Sequence, residues 1–227
     1  YTTLFRSVFA LGAGAVATNG VAVFTNIGWL ALCVLAGSLI QMGVVHSLLI
    51  TLLARLSPLR FFQTILDALL VAFSTASSSA TLPVALRVAT EKLGIGRAVA
   101  STVLPVGASI GKDGTAMYVG LLSIFGLQAL GITPDAGMLI VILMTGALAA
   151  FGTAPIPSAS LFMLAAVLSA VGVDATQTAL IVGFVLPFDR LLDMTRTVPS
   201  ASANLTIATI IARWEGELNA SPPQEKS

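Results

Sequence analysis

The chain has 227 residues, 56% hydrophobic and 9% charged, with a net charge of +1. A soluble domain carries about 25% charged residues, so this chain cannot cover itself with a polar surface and a lipid bilayer is its expected solvent. The balanced charge gives no footprint for nucleic acid, and a single cysteine, Cys33, excludes an internal disulfide and any multi-cysteine metal site.

Residues 1–7, YTTLFRS, are similar to the translated end of a sequencing adapter and are read as a non-native leader. Residues 8–17 are too short for a span of about 20 residues, so 8–26 is read as the remnant of one. Residues 27–53 are long enough to cross with tilt, and they end at Arg55 and Arg60 around Ser57-Pro58. Residues 61–90 are apolar again, but Ser74 to Pro83 breaks them. A second basic loop then carries Arg87, Lys92 and Arg97. Basic loops lie on the cytoplasmic side. The segment between two of them must enter and return, which makes 61–90 a re-entrant hairpin. Irregular backbone at that depth is tolerated only inside protein or against a water-filled cavity. Asp67 is expected near water at the base of this hairpin.

Residues 98–130 form an interrupted helix, broken at Gly107 to Thr115. The next loop carries Asp135 and no basic residue, so it is expected outside. Residues 138–171 are broken by Gly152 to Ser160, and the loop after them carries Asp174 and again no base. By the same parity this is a second hairpin, opposed to the first. A last helix is expected over 179–214, and 215–227 reads as a disordered cytoplasmic tail with Pro222-Pro223. The fold class is an all-α polytopic membrane protein with two opposed re-entrant hairpins and interrupted helices in an inverted repeat, a mark of secondary transporters. The plainer alternative is four spans kinked at Ser, Gly and Pro.

Six charges fall within apolar stretches: Lys112, Asp113, Asp189, Arg190, Asp193 and Arg196. Each costs roughly 2.5–3.5 kcal/mol at a helix centre, and a ligand or ion pathway is the default reason to keep one there. A structural salt bridge is the alternative. Asp189, Asp193, Arg196, Ser200 and Asn204 follow one stripe of a helix with about 3.6 residues per turn. Arg196 suits a carboxylate, because its planar fork matches two oxygens. Asp193 suits an ammonium. The two together fit an acidic amino acid. Thr197 borders the stripe, and the hairpin tips offer free N–H groups and hydroxyls. His46 reads as a packed or hydrogen-bonded histidine, ahead of a proton relay. Met138, Met144 and Met163 read as core packing.

The segments Ser77-Ser78-Ser79-Ala80-Thr81-Leu82-Pro83, Leu104-Pro105-Val106-Gly107-Ala108, Asp113-Gly114-Thr115, Gly152-Thr153-Ala154 with Pro157, and Leu192-Asp193-Met194-Thr195-Arg196-Thr197 follow one another in order. Together they resemble the dicarboxylate/amino acid:cation symporter family, which contains glutamate and aspartate transporters. The resemblance covers about residues 8–213. It implies an elevator: a transport domain, here 27–214, sliding against a trimeric scaffold that is mostly absent from this chain. It also implies a small-molecule substrate, a homotrimeric parent, no cofactor, a coupling ion that is Na+ or H+, and a bacterial inner membrane. Ser78, Ser79, Ile156, Pro157 and Ser158 would face substrate with Thr115 and Ser200. Asp193 would take the amino group, Arg196 the side-chain carboxylate, and Thr197 would assist. Family members that take C4-dicarboxylates tend to lack an acid at the position of Asp193.

The cation half departs from the family. Its sodium motif reads Asn-Met-Asp-Gly-Thr; this chain has Gly111-Lys112-Asp113-Gly114-Thr115. A family Asn and Asp on the last helix are here Ser200 and Asn204. The expected cation site or its surrogate comprises Gly107, Ser109, Gly111, Lys112, Asp113, Thr153 and Asn204, with Na+ the only metal in question. Lys112 either replaces a sodium ion, pairing with Asp113 or nearby carbonyls, or snorkels to water and leaves sodium to carbonyls near Ser109 and Thr153. Arg190 is expected to balance Asp189. Three other readings stand beside acidic amino-acid symport: a proton- or sodium-coupled C4-dicarboxylate carrier, an intramembrane aspartyl protease built on Asp113 and Asp193, and a segment inactive without its scaffold. Lys112 and Arg196 would hold both carboxylates of the protease ionised, whereas a dyad must share a proton.

Overall fold

The computed structural model describes residues 22–218, and among these it contains helices and no strand. The leader and most of the span remnant expected over 1–26 lie outside the described residues. Helix α1 (Ala22–Ile40) continues through π-helical turns Gln41–His46 and Ile50–Ala54 around Ser47–Leu49. Residues Thr25–Ala54 form one apolar rod of 30 residues, long enough to cross a membrane. Arg55 ends the rod in the left-handed conformation, and Pro58 opens α2 (Pro58–Thr75) at its first turn.

Alanine 76 closes α2 at φ 51°, and Ser77 caps α3 (Ser78–Arg87) by accepting from Ala80 N at 3.3 Å. Helix α4 (Arg97–Ile110) stops at Gly111-Lys112, and α5 (Asp113–Ala129) resumes at once. Asp135 and Asp174, expected simply as acids in outer loops, are N-caps. They accept from Met138 N at 2.7 Å and Gln177 N at 2.8 Å, opening α6 (Ala136–Gly152) and α8 (Ala175–Val185). Between them α7 (Ser160–Ala170) follows the irregular stretch 153–159.

The last helix differs from expectation. Instead of one helix over 179–214 there are two, α8 and α9 (Asp189–Trp214), joined through Leu186, Pro187 and Phe188. A proline lacks the N–H and disfavours helix in the residue before it, so Pro187 divides the run. The start of the tail also differs. Glu217 O accepts from Gly96 N at 2.8 Å, and Leu218 bridges Ile95, so residues 215–218 are docked.

Helix α9 packs against α1, α2, α3, α4 and α5 and lies between two apolar cores. One gathers Ile50, Phe61, Ile65, Val88 and Leu104 with its C-terminal half; the other gathers Ile27, Leu30, Tyr118, Leu122, Leu164 and Ile181 with Leu192 near its start. The polarity is inverted relative to a soluble protein. Thr197, Ser200, Ser202, Thr206 and Thr209 of α9 are buried, while Trp29, Leu39, Leu52, Leu143, Leu148 and Phe162 are exposed. Exposed apolar surface on this scale marks a protein or membrane contact, and inside it the polar side chains of α9 lie between the two apolar cores.

Glycine 114 sets the closest approach of α5 to α9. A Cβ there would lie 2.1 Å from the Arg196 carbonyl oxygen, which is backbone and cannot turn aside. Gly120, one turn and a half further on, has nothing within 4 Å of its Cβ position. Gly114→Ala should therefore lower thermal stability in detergent by about 1–3 kcal/mol, the usual cost of overpacking. Gly120→Ala should leave the melting temperature unchanged or raised.

Candidate functional site

The stripe of α9 is buried along its length: Asp189 0%, Asp193 0%, Arg196 4%, Ser200 1% and Asn204 7% exposed. Such burial is tolerable only if the charges have partners. Asp193 and Arg196 form an ion pair one turn apart. Asp193 Oδ2 also accepts from Ser158 N at 2.9 Å, and Ser158 stands at φ 59°. Aspartate 193 is thus tied to the irregular stretch 153–159. Arg196 donates to the Thr115 hydroxyl in the first turn of α5, and its guanidinium carbon lies 5.8 Å from the Tyr118 ring centroid. Arg196 Nε is buried without an acceptor among the described residues.

Asp189 is not balanced by Arg190. Arg190 is exposed, and the Tyr118 hydroxyl donates to Asp189 Oδ1 at 2.7 Å. The spacing of 189 and 190 on a helix puts them about 100° apart, so neighbours in sequence do not share a face. Thr197 is buried and returns its hydroxyl to Asp193 O at 2.7 Å. Ser200 accepts from Gly114 N at 3.1 Å.

The two chain breaks meet. Ser77 Oγ donates to Pro155 O at 2.8 Å. Ser78 lines a small crevice with Thr81 and Asn204, while Ser79, Ile156 and Pro157 are exposed. Of the residues expected around substrate, Thr115, Ser158, Asp193, Arg196, Thr197 and Ser200 converge; Ser79, Ile156 and Pro157 stand at the surface beside them.

The expected cation residues divide in the same way. Asn204 packs over Gly107 and Gly111: a Cβ on Gly111 would lie 2.1 Å from Asn204 Oδ1, and one on Gly107 2.7 Å from it. The carboxamide from α9 fills the space that a side chain at 111 would take. Asn204, Gly111, Lys112 and Asp113 border a cavity of about 360 Å³ together with Gln41 and His46. Ser109 is exposed and bonds back to Pro105 O at 3.0 Å, and Thr153 bonds to Ala149 O at 3.0 Å, so both hydroxyls serve their own helices.

Lys112 does not pair with Asp113: no ion pair joins them, and Lys112 is 4% exposed, so it does not reach open water either. Asp113 has other partners. Its Oδ2 accepts from Gln41 Nε2 at 2.7 Å and lies 3.1 Å from His46 Nε2; its Oδ1 accepts from Gly114 N at 2.8 Å. His46 Nδ1 is 3.0 Å from Ser202 Oγ. His46 is thus a hydrogen-bonded histidine. No hydrogen bond connects Asp113 with Asp193, so there is no shared-proton dyad.

Gln41, Tyr118 and Ser202 were not expected at the site. Tyr118 could have been found, since it follows Thr115 at helical spacing and aromatic rings serve as beds for Arg. Gln41 sits 72 residues from its partner, on a π-helical turn, where ordinary helical phase does not apply.

A profile of the Sodium:dicarboxylate symporter family matches residues 6–214. The chain belongs to that family. Human excitatory amino acid transporter 2 is 39% identical over 175 residues, which is 77% of this chain and 30% of that protein. Mouse excitatory amino acid transporter 3 is 39% identical over 176 residues, covering 78% and 33%. Mouse excitatory amino acid transporter 5 is 36% identical over 182 residues, covering 80% and 33%. The chain spans about a third of the length of these curated relatives. Sodium:dicarboxylate symporters are multi-pass membrane transporters and not enzymes, in keeping with the inverted polarity of this chain.

Tyr118→Phe keeps the ring beside Arg196 and removes only the hydroxyl that serves Asp189. It should cost about 1–3 kcal/mol of stability in detergent, the penalty for leaving a buried acceptor unmet. An unchanged melting temperature would place Asp189 in contact with another donor.

Proposed function

We propose that this chain is the substrate-carrying part of a secondary symporter for acidic amino acids, aspartate or glutamate, coupled to Na+ or H+. The observation that carries the proposal is the buried Asp193–Arg196 pair with Arg196 Nε left open. A buried donor without a partner calls for an explanation, and a bound carboxylate would supply one. An acidic amino acid brings an ammonium and a second carboxylate, the complement of these two side chains. Binding would exchange one internal ion pair for two external ones: the ammonium takes Asp193, and the side-chain carboxylate takes Arg196. Thr115 and Tyr118 keep the guanidinium in place during the exchange. Because desolvation of Asp193 and Arg196 is met in the folding of α9, substrate binding bears less of it.

The two helix pairs, α2–α3 and α6–α7, are read as opposed re-entrant hairpins whose tips join at Ser77 and Pro155. Ser158 N, held on Asp193, links the second tip to the site. Substrate ammonium would compete with that bond, so occupancy and tip position are coupled. The names of the relatives, excitatory amino acid transporters, support the substrate class. The family name supports cation coupling. In the parent protein, an elevator against a homotrimeric scaffold and a bacterial inner membrane are the setting proposed for this segment.

The cation half is proposed to be rebuilt. Gly111 provides no side chain, Asn204 is neutral, and Lys112 brings a buried ammonium beside the cavity. Lys112 then stands in for at least one sodium ion, and transport uses protons or fewer sodium ions.

Uptake of labelled aspartate by the complete transporter in proteoliposomes, with sodium and pH gradients varied independently, tests this. Uptake should be driven by a proton gradient or depend non-cooperatively on sodium. Arg196→Gln should weaken aspartate by roughly 30-fold or more, the factor for truncating one member of a buried charge pair. Asp193→Asn should lose aspartate while sparing succinate. Steep, cooperative sodium dependence would overturn the cation reading, and aspartate uptake unaltered by Arg196→Gln would overturn the site.

A further inference from the structure

We propose that Gln41 and His46 are positioning residues that set cation selectivity by occupying Oδ2 of Asp113, so that this oxygen is held out of a monovalent cation's coordination shell. The inference rests on the reading of this cavity as the cation half of the transporter. The carboxylate of Asp113 is the only acidic side chain bordering the cavity among the described residues. A bare carboxylate there would be the strongest ligand available to sodium, since hard cations select oxygen anions.

Its two oxygens are already engaged. Gln41 Nε2 donates to Oδ2 at 2.7 Å, His46 Nε2 lies 3.1 Å from the same oxygen, and Gly114 N donates to Oδ1 at 2.8 Å. The amide orientation of Gln41 follows from charge: its oxygen turned to the carboxylate would repel it. The imidazole proton is fixed by similar logic. Ser202 Oγ lies 3.0 Å from Nδ1. A bare Nε2 lone pair facing the carboxylate would be repelled, so Nε2 carries a hydrogen toward Asp113, and in the neutral ring Nδ1 accepts from Ser202 Oγ. Both residues reach Asp113 from the π-helical turn Gln41–His46. In an α-helix, positions five apart point away from each other; the π-turn brings 41 and 46 into line. Its extra residue has a use here, to aim two donors at one oxygen.

A cation can gain Oδ2 only by displacing one of its two donors, and losing that charge-assisted hydrogen bond is a cost the cation must offset. The donors thus raise the sodium concentration needed, and with the Lys112 ammonium at the same cavity they bias the site against a free metal ion. Gln41→Met with His46→Leu removes both donors at similar volume and releases the carboxylate to sodium.

The test is the melting temperature of this protein in detergent, titrated with NaCl against choline chloride at constant ionic strength. The double variant should reach half of its sodium-induced stabilisation at about tenfold lower concentration than the unaltered protein, or show a sodium response where the unaltered protein has none. His46→Gln, which keeps an N–H donor, should restore the unaltered response when Gln41 is intact. If the double variant does not melt cooperatively, Gln41→Met alone carries the test, with a shift of about threefold expected. A sodium response unchanged or weakened in the cooperative variant would overturn the inference. Stabilisation of the unaltered protein by L-aspartate is read separately. Its absence alongside the predicted sodium shift would overturn the acidic-substrate reading and leave this one standing.

Discussion

A carboxylate and a guanidinium, buried together on one turn of α9, organise the molecule around them. An isolated ion at this depth would cost several kcal/mol, and even a pair regains that only if its remaining hydrogen-bonding groups are met. The neighbours supply those groups from separate parts of the chain: Ser158 N from the break before α7, Thr115 from the start of α5, the Tyr118 ring from one turn later. Each of these contacts requires an element to stop or start at a particular place. The break at Gly111-Lys112 puts the start of α5 against α9, and Gly114 lets the two backbones touch. The irregular stretch 153–159 frees a backbone N–H that a continuous helix would have used internally. The interruptions at 111–112 and 153–159 thus serve the charged centre.

The same constraint explains the inverted distribution of polarity. With Ser, Thr and Asn collected on α9, the outer helices have only to face lipid and each other. They do so with leucine, isoleucine and valine exposed on α1 and α6. Small residues along α9 permit five helices to approach it, as expected where packing rather than water drives association. What remains unpaired in this interior is therefore informative. Among the described residues Arg196 Nε lacks an acceptor and Lys112 has no ion-paired carboxylate, although Asp113 follows it directly.

The stripe Asp189–Asn204 was legible because an α-helix repeats every 3.6 residues and because charge within an apolar run is conspicuous. The breaks at 76–77, 111–112 and 153–159 were legible from serine, glycine and proline. Other features were not. Pro187 divides the last helix, and the long apolar run around it hid the division. The pairing of Arg190 with Asp189 failed because neighbours in sequence do not share a face of a helix, and that of Lys112 with Asp113 because Lys112 lies in the break before α5 and its neighbour's carboxylate is taken by Gln41, His46 and Gly114 N. The side-chain partners of Asp113 come from the π-helical turn after α1, 67 and 72 residues away, whose phase a 3.6-residue wheel misplaces. Local pattern reads the face of a helix; it does not read which distant helix covers that face.

The central claim is that ligand charges replace the Asp193–Arg196 pair. Solid-state NMR dipolar coupling between the Arg196 Nη nitrogens and the Asp193 carboxylate carbon measures that contact directly in membranes. The account predicts strong coupling without ligand and its loss at saturating L-aspartate, with new coupling from Arg196 to the ligand carboxylate. Coupling between Asp193 and Arg196 that persists undiminished at saturating L-aspartate would contradict it.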